Sequence, residues 1–401
     1  MKDSPPSLSR RRRLDLYHVR NCTTTTIPFD LIIEILSLLP AKSLLRFQSV
    51  SKLWFSTIRS KTFVDSFLTR SKTRPRLLFT FYLKNSRENF IFSAPEHDNN
   101  DDKSSSVVAR YDMAISDPHG SVICGSVNGF VCFRGVSCFR GVDCNTIYVY
   151  NPTTRQIVKL PVVTLNGEYM DARFGYDPVE DQYKVLCVMM FDDSESQDIQ
   201  LEHFVCTLSS SQRQEWRKIE NPTGDNYQCA FFGQICIDGA LYYGVGHSRI
   251  VRFDLRSEKI DIIKTPKKSH ISTAYQSTLI NYKGRLGGVD YSCTENLMTL
   301  WVLEDAEREE WSSMKCALPP QWEDLLGGYQ VSKGVIHTGE LMVFNPWLES
   351  SMPFYVCYYD FNKKSTREVE IRGIKDCDFR RFHWIDEMLC YPGHVENIRF
   401  V

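Results

Sequence analysis

Ile27-Pro28-Phe29-Asp30-Leu31-Ile32-Ile33-Glu34-Ile35-Leu36-Ser37-Leu38-Leu39-Pro40, followed at once by Ala41-Lys42-Ser43-Leu44-Leu45-Arg46-Phe47-Gln48-Ser49-Val50-Ser51-Lys52-Leu53-Trp54, is a helical pattern carrying more apolar side chains than so short a module can bury. Pro28 sits at a helix start, where its missing N–H costs nothing. Leu31, Ile32, Ile35, Leu38 and Leu39 recur at three- and four-residue spacings and predict one broad apolar stripe, with Ile33 and Leu36 on its flanks. Pro40 stops the helix. A second short helix is expected over residues 43–47, and Ser49 or Ser51 should cap a third carrying Trp54, Phe55 and Ile58. Three short helices in about 40 residues cannot bury Leu36, Leu44, Leu45, Val50 and Trp54 together, so the surplus is expected to meet a partner. The competing reading is that these helices cap the rest of the chain and all their apolar positions are internal packing.

The bulk numbers bound the partner. The 401-residue chain has a formal net charge of -1, so no global field selects nucleic acid or membrane. The balance is uneven: residues 1–74 carry 14 Lys or Arg against 5 Asp or Glu, and the remainder carries 34 against 44. The basic front suits an acidic partner. No apolar run approaches the length of a membrane-spanning helix. The 14 cysteines are scattered, without a C-x-x-C pair or His/Cys ligand spacing, which predicts free thiols in a reducing compartment and no metal site. Cys132, Cys138 and Cys144 stand six apart, but nothing completes a ligand set. Residues 1–24 read as a disordered basic tail with no secretory signal. Its Arg10–Arg13 run reads either as a nuclear import signal or as a solvated tail, so residence in the nucleus, the cytoplasm or both is expected.

The front module resembles an F-box. Pro28, the Glu34-Ile35-Leu36 step, Leu39-Pro40, Leu44-Leu45-Arg46-Phe47, Val50, Lys52 and Trp54 occupy that family's positions. Ile27 stands where Leu is commoner, and Ser51 where Cys often stands. The resemblance implies docking to a Skp1-like adaptor and, through it, to the cullin and RING subunits of a ubiquitin ligase. Over a module spanning residues 25–66, the adaptor contacts are expected at Pro28, Leu31, Ile35, Leu36, Pro40, Leu44, Leu45, Val50 and Trp54.

From Pro75 onward the pattern turns to strands. Arg76 to Tyr82 and Phe90-Ile91-Phe92 are aromatic and β-prone, and a polar run over 96–106 reads as a loop or insertion. Five irregular units follow between about 115 and 373, each one small antiparallel sheet's worth of chain that cannot bury its own faces and must stack. Asn128-Gly129, Asp238-Gly239 and Lys283-Gly284 fit tight hairpin turns. Asp254-Leu255-Arg256 and Asp360-Phe361-Asn362 leave a strand into a turn. Phe382-His383-Trp384, Met388 to Tyr391 and Ile398-Arg399-Phe400 supply part of a sixth unit, and the orphan strands at 76–92 the rest. Joining the two chain ends would close a ring and remove its free edges, so a six-bladed β-propeller is expected.

The region 75–401 is similar to the plant F-box-associated domain, which belongs with Kelch-like propellers. The shared marks are Asn128-Gly129, Tyr150-Asn151-Pro152-Thr153-Thr154-Arg155, Phe174-Gly175-Tyr176-Asp177, Tyr183-Lys184-Val185, Asp238-Gly239-x-Leu241-Tyr242 and, more weakly, His394-Val395-Glu396-Asn397-Ile398. Tyr243 stands where that tag usually has Trp. The double glycine of true Kelch blades is confined to Gly287-Gly288 and Gly327-Gly328. The fold class expected is therefore mostly β, an N-terminal three-helix F-box followed by a propeller.

No catalytic constellation is legible. There is no nucleophile elbow, P-loop, H-E-x-x-H or dinucleotide fingerprint. His383 and His394 read as packing or exposed histidines, and Asp192, Asp193, Glu195 and Asp198 as a solvated turn, in preference to metal or Ca²⁺ sites. No cofactor is expected. Three functions compete: a non-catalytic subunit that recruits an unknown target protein to a Skp1-cullin-F-box ligase, an F-box-like scaffold acting outside a ligase, and an enzyme on a propeller.

Overall fold

A computed structural model describes residues 27–83, 86–96, 106–116, 121–135, 146–163, 169–192, 199–209, 214–220, 229–246, 248–267, 269–272, 277–292, 297–317, 331–346, 353–374 and 388–400. The basic tail, Cys138, Cys144, Gly327-Gly328, Phe382-His383-Trp384 and most of the 96–106 run lie outside these residues, as do Asp193, Glu195 and Asp198.

Four helices open the chain: α1 Phe29–Leu38, α2 Ala41–Phe47, α3 Lys52–Arg59 and α4 Lys61–Lys72. Pro28 and Pro40 precede α1 and α2 in extended backbone, as their fixed φ favours. Of the two candidate caps it is Ser51 that serves, its hydroxyl accepting the Trp54 N–H at 3.1 Å. The fourth helix corrects the three-helix expectation. Ser60 caps α4, and its buried Phe63, Val64, Phe67 and Leu68 form an apolar stripe beyond Ile58, where the sequence reading stopped.

Six sheets follow. Blade II is β5 (Ser121–Val127), β6 (Phe130–Gly135), β7 (Ile147–Asn151) and β8 (Gln156–Lys159). Blade III is β9 (Tyr169–Asp177), β10 (Gln182–Asp192), β11 (Ile199–Leu208) and β12 (Trp216–Ile219). Blade IV is β13 (Cys229–Ile237), β14 (Ala240–Val245), β15 (Arg249–Asp254) and β16 (Ile260–Lys264). Blade V is β17 (Ser277–Tyr282), β18 (Arg285–Ser292), β19 (Leu297–Asp305) and β20 (Glu310–Ala317). Blade VI is β21 (Val331–Val335), β22 (Leu341–Phe344), β23 (Tyr355–Asp360) and β24 (Ser365–Arg372), with β3 (Ser106–Val108) added in parallel at its outer edge.

Blade I joins the chain ends: β1 (Arg76–Leu83), β2 (Glu88–Pro95) and β4 (Arg110–Ser116) are completed on the inside by β25 (Met388–His394). β25 runs antiparallel to β1, with Phe79 opposite Cys390 and Phe81 opposite Met388. The innermost strands β25, β5, β9, β13, β17 and β21 each touch the next, and β21 touches β25, so the ring is closed.

Both faces of each sheet are covered by neighbouring blades. In β10, Val185, Cys187 and Met189 pack into the layer shared with blade II, while Leu186 and Val188 pack into the layer shared with blade IV. That two-sided burial is why such strands read as continuous apolar runs, not as alternation. Six buried layers between adjacent blades result.

One turn recurs at the rim. Asn151, Asp254, Asp305 and Asp360 end the third strand of their blades, and each side-chain oxygen accepts backbone N–H groups two and three residues on. Four residues on, Arg155, Glu258, Glu309 and Lys364 all take φ between 53° and 60°. This Asx turn at constant spacing is a repeat that the apolar pattern hides. Trp216 and Trp311, on the outer strands β12 and β20, donate from Nε1 to the carbonyls of Pro161 and Lys264, tying each blade to the one before it.

Ring closure is pinned by Glu96, whose side chain is fully buried. One carboxylate oxygen accepts the Gly393 N–H at 2.6 Å, and the other accepts the His337 N–H at 3.1 Å and faces His337 Nδ1 at 2.7 Å. Glu96→Ala strips these donors of their partner, and a loss of about 2–4 kcal/mol in unfolding free energy is expected by denaturant titration. Deleting residues 388–401 leaves β1 an open edge and should abolish cooperative melting in calorimetry.

Candidate functional site: an apolar helix surface and its seat on the propeller

The helical module has a core of its own, and the core claims part of the predicted contact set. Leu36 and Leu44 are fully buried with Ala41, Ile58, Phe63, Val64 and Phe67. They therefore do not face a partner, contrary to the expectation from the sequence. The reason is α4, which covers the side of α1 that a three-helix module would leave open. Leu45 and Trp54 are half-buried, Trp54 standing edge-on to Phe47 at 5.2 Å. Pro28, Leu31, Ile35, Pro40 and Val50 are exposed.

The stripe on α1 thus divides in two. Leu36 turns inward, with Ile32, Ile33 and Leu39 packed partly behind it. Leu31, Ile35 and Leu38, at spacings of four and three, stay together on the solvent side, 48%, 49% and 64% exposed. Val50 and Leu53 add to this surplus at the α2–α3 corner, and Phe29 and Phe55 are also exposed. Leu38, Leu53, Phe29 and Phe55 were missing from the predicted set; the Leu31/Ile35/Leu38 spacing was the available signal for the first. Lys42, Arg46, Lys52 and Arg59 stand exposed among these residues. The reading in which every apolar helix position is internal packing is overturned by this surface.

The module sits on the rim formed by the 128–129, 152–155 and 178–181 turns of blades II and III, and the chain's last residues lie between. Asn397 is fully buried: its Nδ2 donates to the Asn128 carbonyl at 2.7 Å, its N–H to Thr153 Oγ1 at 3.1 Å, and its Oδ1 accepts the Arg399 N–H at 2.8 Å. Ile398 turns the other way and enters the helical core beside Phe63 and Phe67. Arg399 reaches both bodies, donating to Asp181 of the β9–β10 turn at 2.6 and 3.1 Å and to Asp65 of α4 at 2.7 Å. Lys61 also bonds Asp181 and lies 3.3 Å from Asp65, and the Arg59 guanidinium lies 4.0 Å over the Phe400 ring.

Burial tends to raise the Asp181 pKa, but hydrogen bonds from Arg399, Lys61 and Tyr176 outweigh it and hold it down at about 2. The Tyr176 phenol is pushed up to about 12 by burial and by that same carboxylate. Gly129 is required here: it takes φ +86°, and a Cβ would lie 2.5 Å from the Val395 carbonyl oxygen.

Burial shifts several titratable groups among the described residues away from their reactive forms. Burial pushes the Cys187 and Cys390 thiols well up, and Cys206 and Cys236 to about 11, away from the thiolate a nucleophile needs. His394 is held neutral, at about 3, by burial and by Arg76 and Arg110. Among the described residues no three His, Cys, Asp or Glu side chains are grouped to hold a metal, and no helix is long and apolar enough to cross a membrane.

Because Leu44 is core, Leu44→Ala should cost about 2–5 kcal/mol in the helical module. The expected readout is an earlier loss of helical circular dichroism while the β-sheet transition is retained.

Two family models match the chain in the order seen in the structure. The F-box domain covers residues 25–65, and the F-box associated beta propeller domain covers residues 76–395. F-box protein At1g30790 of Arabidopsis thaliana is 36% identical over 94% of this chain and 98% of its own length. F-box protein DOR of the same plant is 34% identical over 94% of each. The exposed apolar helices, the ring of six blades and these full-length matches agree, and the chain belongs to the F-box proteins that carry an F-box-associated β-propeller domain.

Proposed function

We propose that this protein recruits a target protein to a Skp1-cullin-F-box ubiquitin ligase, its helices docking on a Skp1-like adaptor and its propeller holding the target. The observation that carries the reading is the solvent-facing Leu31, Ile35, Leu38, Val50 and Leu53 on a module whose own core is already complete. An apolar surface of this kind favours burial against a helical groove. The flanking Lys42, Arg46, Lys52 and Arg59 favour an acidic partner. Family membership supports the same role.

The target is assigned to the propeller's opposite rim, because the helices and residues 395–400 occupy the blade II and blade III turns of the first. The protein contributes proximity and no covalent step. With a basic N-terminal run and scattered cysteines, we assign it to the nucleus, the cytoplasm or both.

Val50→Asp and Leu53→Asp place a charge in the docking surface without touching the core. Each should weaken binding to a Skp1-like protein at least about 100-fold by calorimetric titration, with circular dichroism unchanged. Parent-level affinity in both variants refutes the docking surface. Adaptor binding without cullin recruitment would instead favour a scaffold outside a ligase.

The purified chain, given only activating and conjugating enzymes, should form no reductant-sensitive ubiquitin adduct. Such an adduct on a gel would make it a catalytic ligase.

A further inference from the structure

The only covalent link from the helices into the propeller is the short segment 73–75, between α4 and β1. A two-body chain joined at one point moves about that point unless a second attachment restrains it. The C-terminal segment is that attachment. Its residues divide between the two bodies: Asn397 bonds the propeller, Ile398 packs into the helices, and Arg399 bonds both. The planar guanidinium matters, because separate N–H groups serve Asp181 and Asp65 at once, which an ammonium on a flexible stem does less well.

Blade II is specialised for this contact. Its Asx turn is built on Asn151, whereas the sister turns use Asp254, Asp305 and Asp360. In all four the side-chain oxygen is consumed by the turn. Only Asn keeps a donor spare, and Asn151 Nδ2 gives it to the carbonyls of Asn397 and Arg399 at 2.9 and 3.0 Å. An aspartate there would make the same turn and present a carboxylate to two carbonyl oxygens. The turn does not require Asn; the tail does.

We infer that residues 395–400 are a positioning clamp, in which Asn151, Asn397 and Arg399 fix the angle between the adaptor-binding helices and the propeller. A target on the far rim is thereby held at one place relative to the adaptor. What is positioned rests on the function proposed above; the clamp itself does not.

The test uses the full chain with spin-labelled noncanonical residues at positions 42 and 307, one on α2 and one in the β19–β20 turn, and electron–electron distance measurement. Asn151→Asp keeps the turn, and Arg399→Gln removes the shared cation. Each should broaden the distance distribution roughly twofold or more, as expected when one of two attachments is lost. Asp254→Asn changes a sister turn that meets no tail, and should leave the distribution as in the parent. Calorimetric affinity for a Skp1-like protein, measured on the unlabelled chains, should stay within about twofold, because the docking surface is untouched.

A parent-like distribution in Asn151→Asp overturns the clamp, as does equal broadening in Asp254→Asn, which would mark generic loosening. Should Arg399→Gln fail to fold, Asn151→Asp decides alone. A parent chain that binds no Skp1-like protein refutes the adaptor reading and leaves the distance result to decide the clamp.

Discussion

The antiparallel pairing of β25 with β1 turns six separate sheets into a ring, and the rest of the molecule depends on it. Each blade is too small to bury its own faces, so every apolar strand is stable only between two neighbours. Without β25, blade I would present an open edge, and the layers that it shares with blades II and VI would lose Leu389, Tyr391, Met388 and Cys390. Closure also places residues 395–400 where they are needed. The strand that completes the ring ends at the rim on which the helices sit, and the chain runs on from it directly into their core.

That economy ties fold to function. One segment, a few residues long, finishes the propeller, seats the helical module and contributes Ile398 to its interior. The helices can then leave Leu31, Ile35, Leu38, Val50 and Leu53 outside, because their core is completed by α4 and the tail without them. At the seat the partly buried Arg399 and Asp181 share their contacts with Asp65 and the exposed Lys61. A shared network of this kind restrains orientation more effectively than a single exposed pair, which contributes little.

Local patterns were readable where they were obligatory. Asn128-Gly129, Asp238-Gly239 and Lys283-Gly284 are tight turns with positive φ at both residues, and the second position of each favours glycine. The apolar strands of blades II to VI and the joining of the chain ends through Met388 to Tyr391 followed from the need to stack and to close, whereas Ile398-Arg399-Phe400, expected in the sixth blade, run instead to the helices. The F-box positions gave the family. The turns were legible in part, at Asp254 and Asp360, but their common spacing to a residue with positive φ was not, since Arg155, Glu258, Glu309 and Lys364 share no chemistry.

What the amino-acid order determined by itself was therefore the class of each segment: helices bounded by Pro28 and Pro40, strands bounded by turn residues, and a surplus of apolar side chains in the front module. Periodicity and backbone preference act over a few residues and leave their mark in composition. The tertiary structure alone decided which side of each element is inside. Leu36 and Leu44 became core, and Leu38 and Leu53 surface, only because α4 packs on one side of the module. Asn397 and Arg399 acquired partners on Asn128, Asn151, Asp181 and Asp65, hundreds of residues away along the chain. Contacts at that separation are set by ring closure and leave no periodic trace in one sequence.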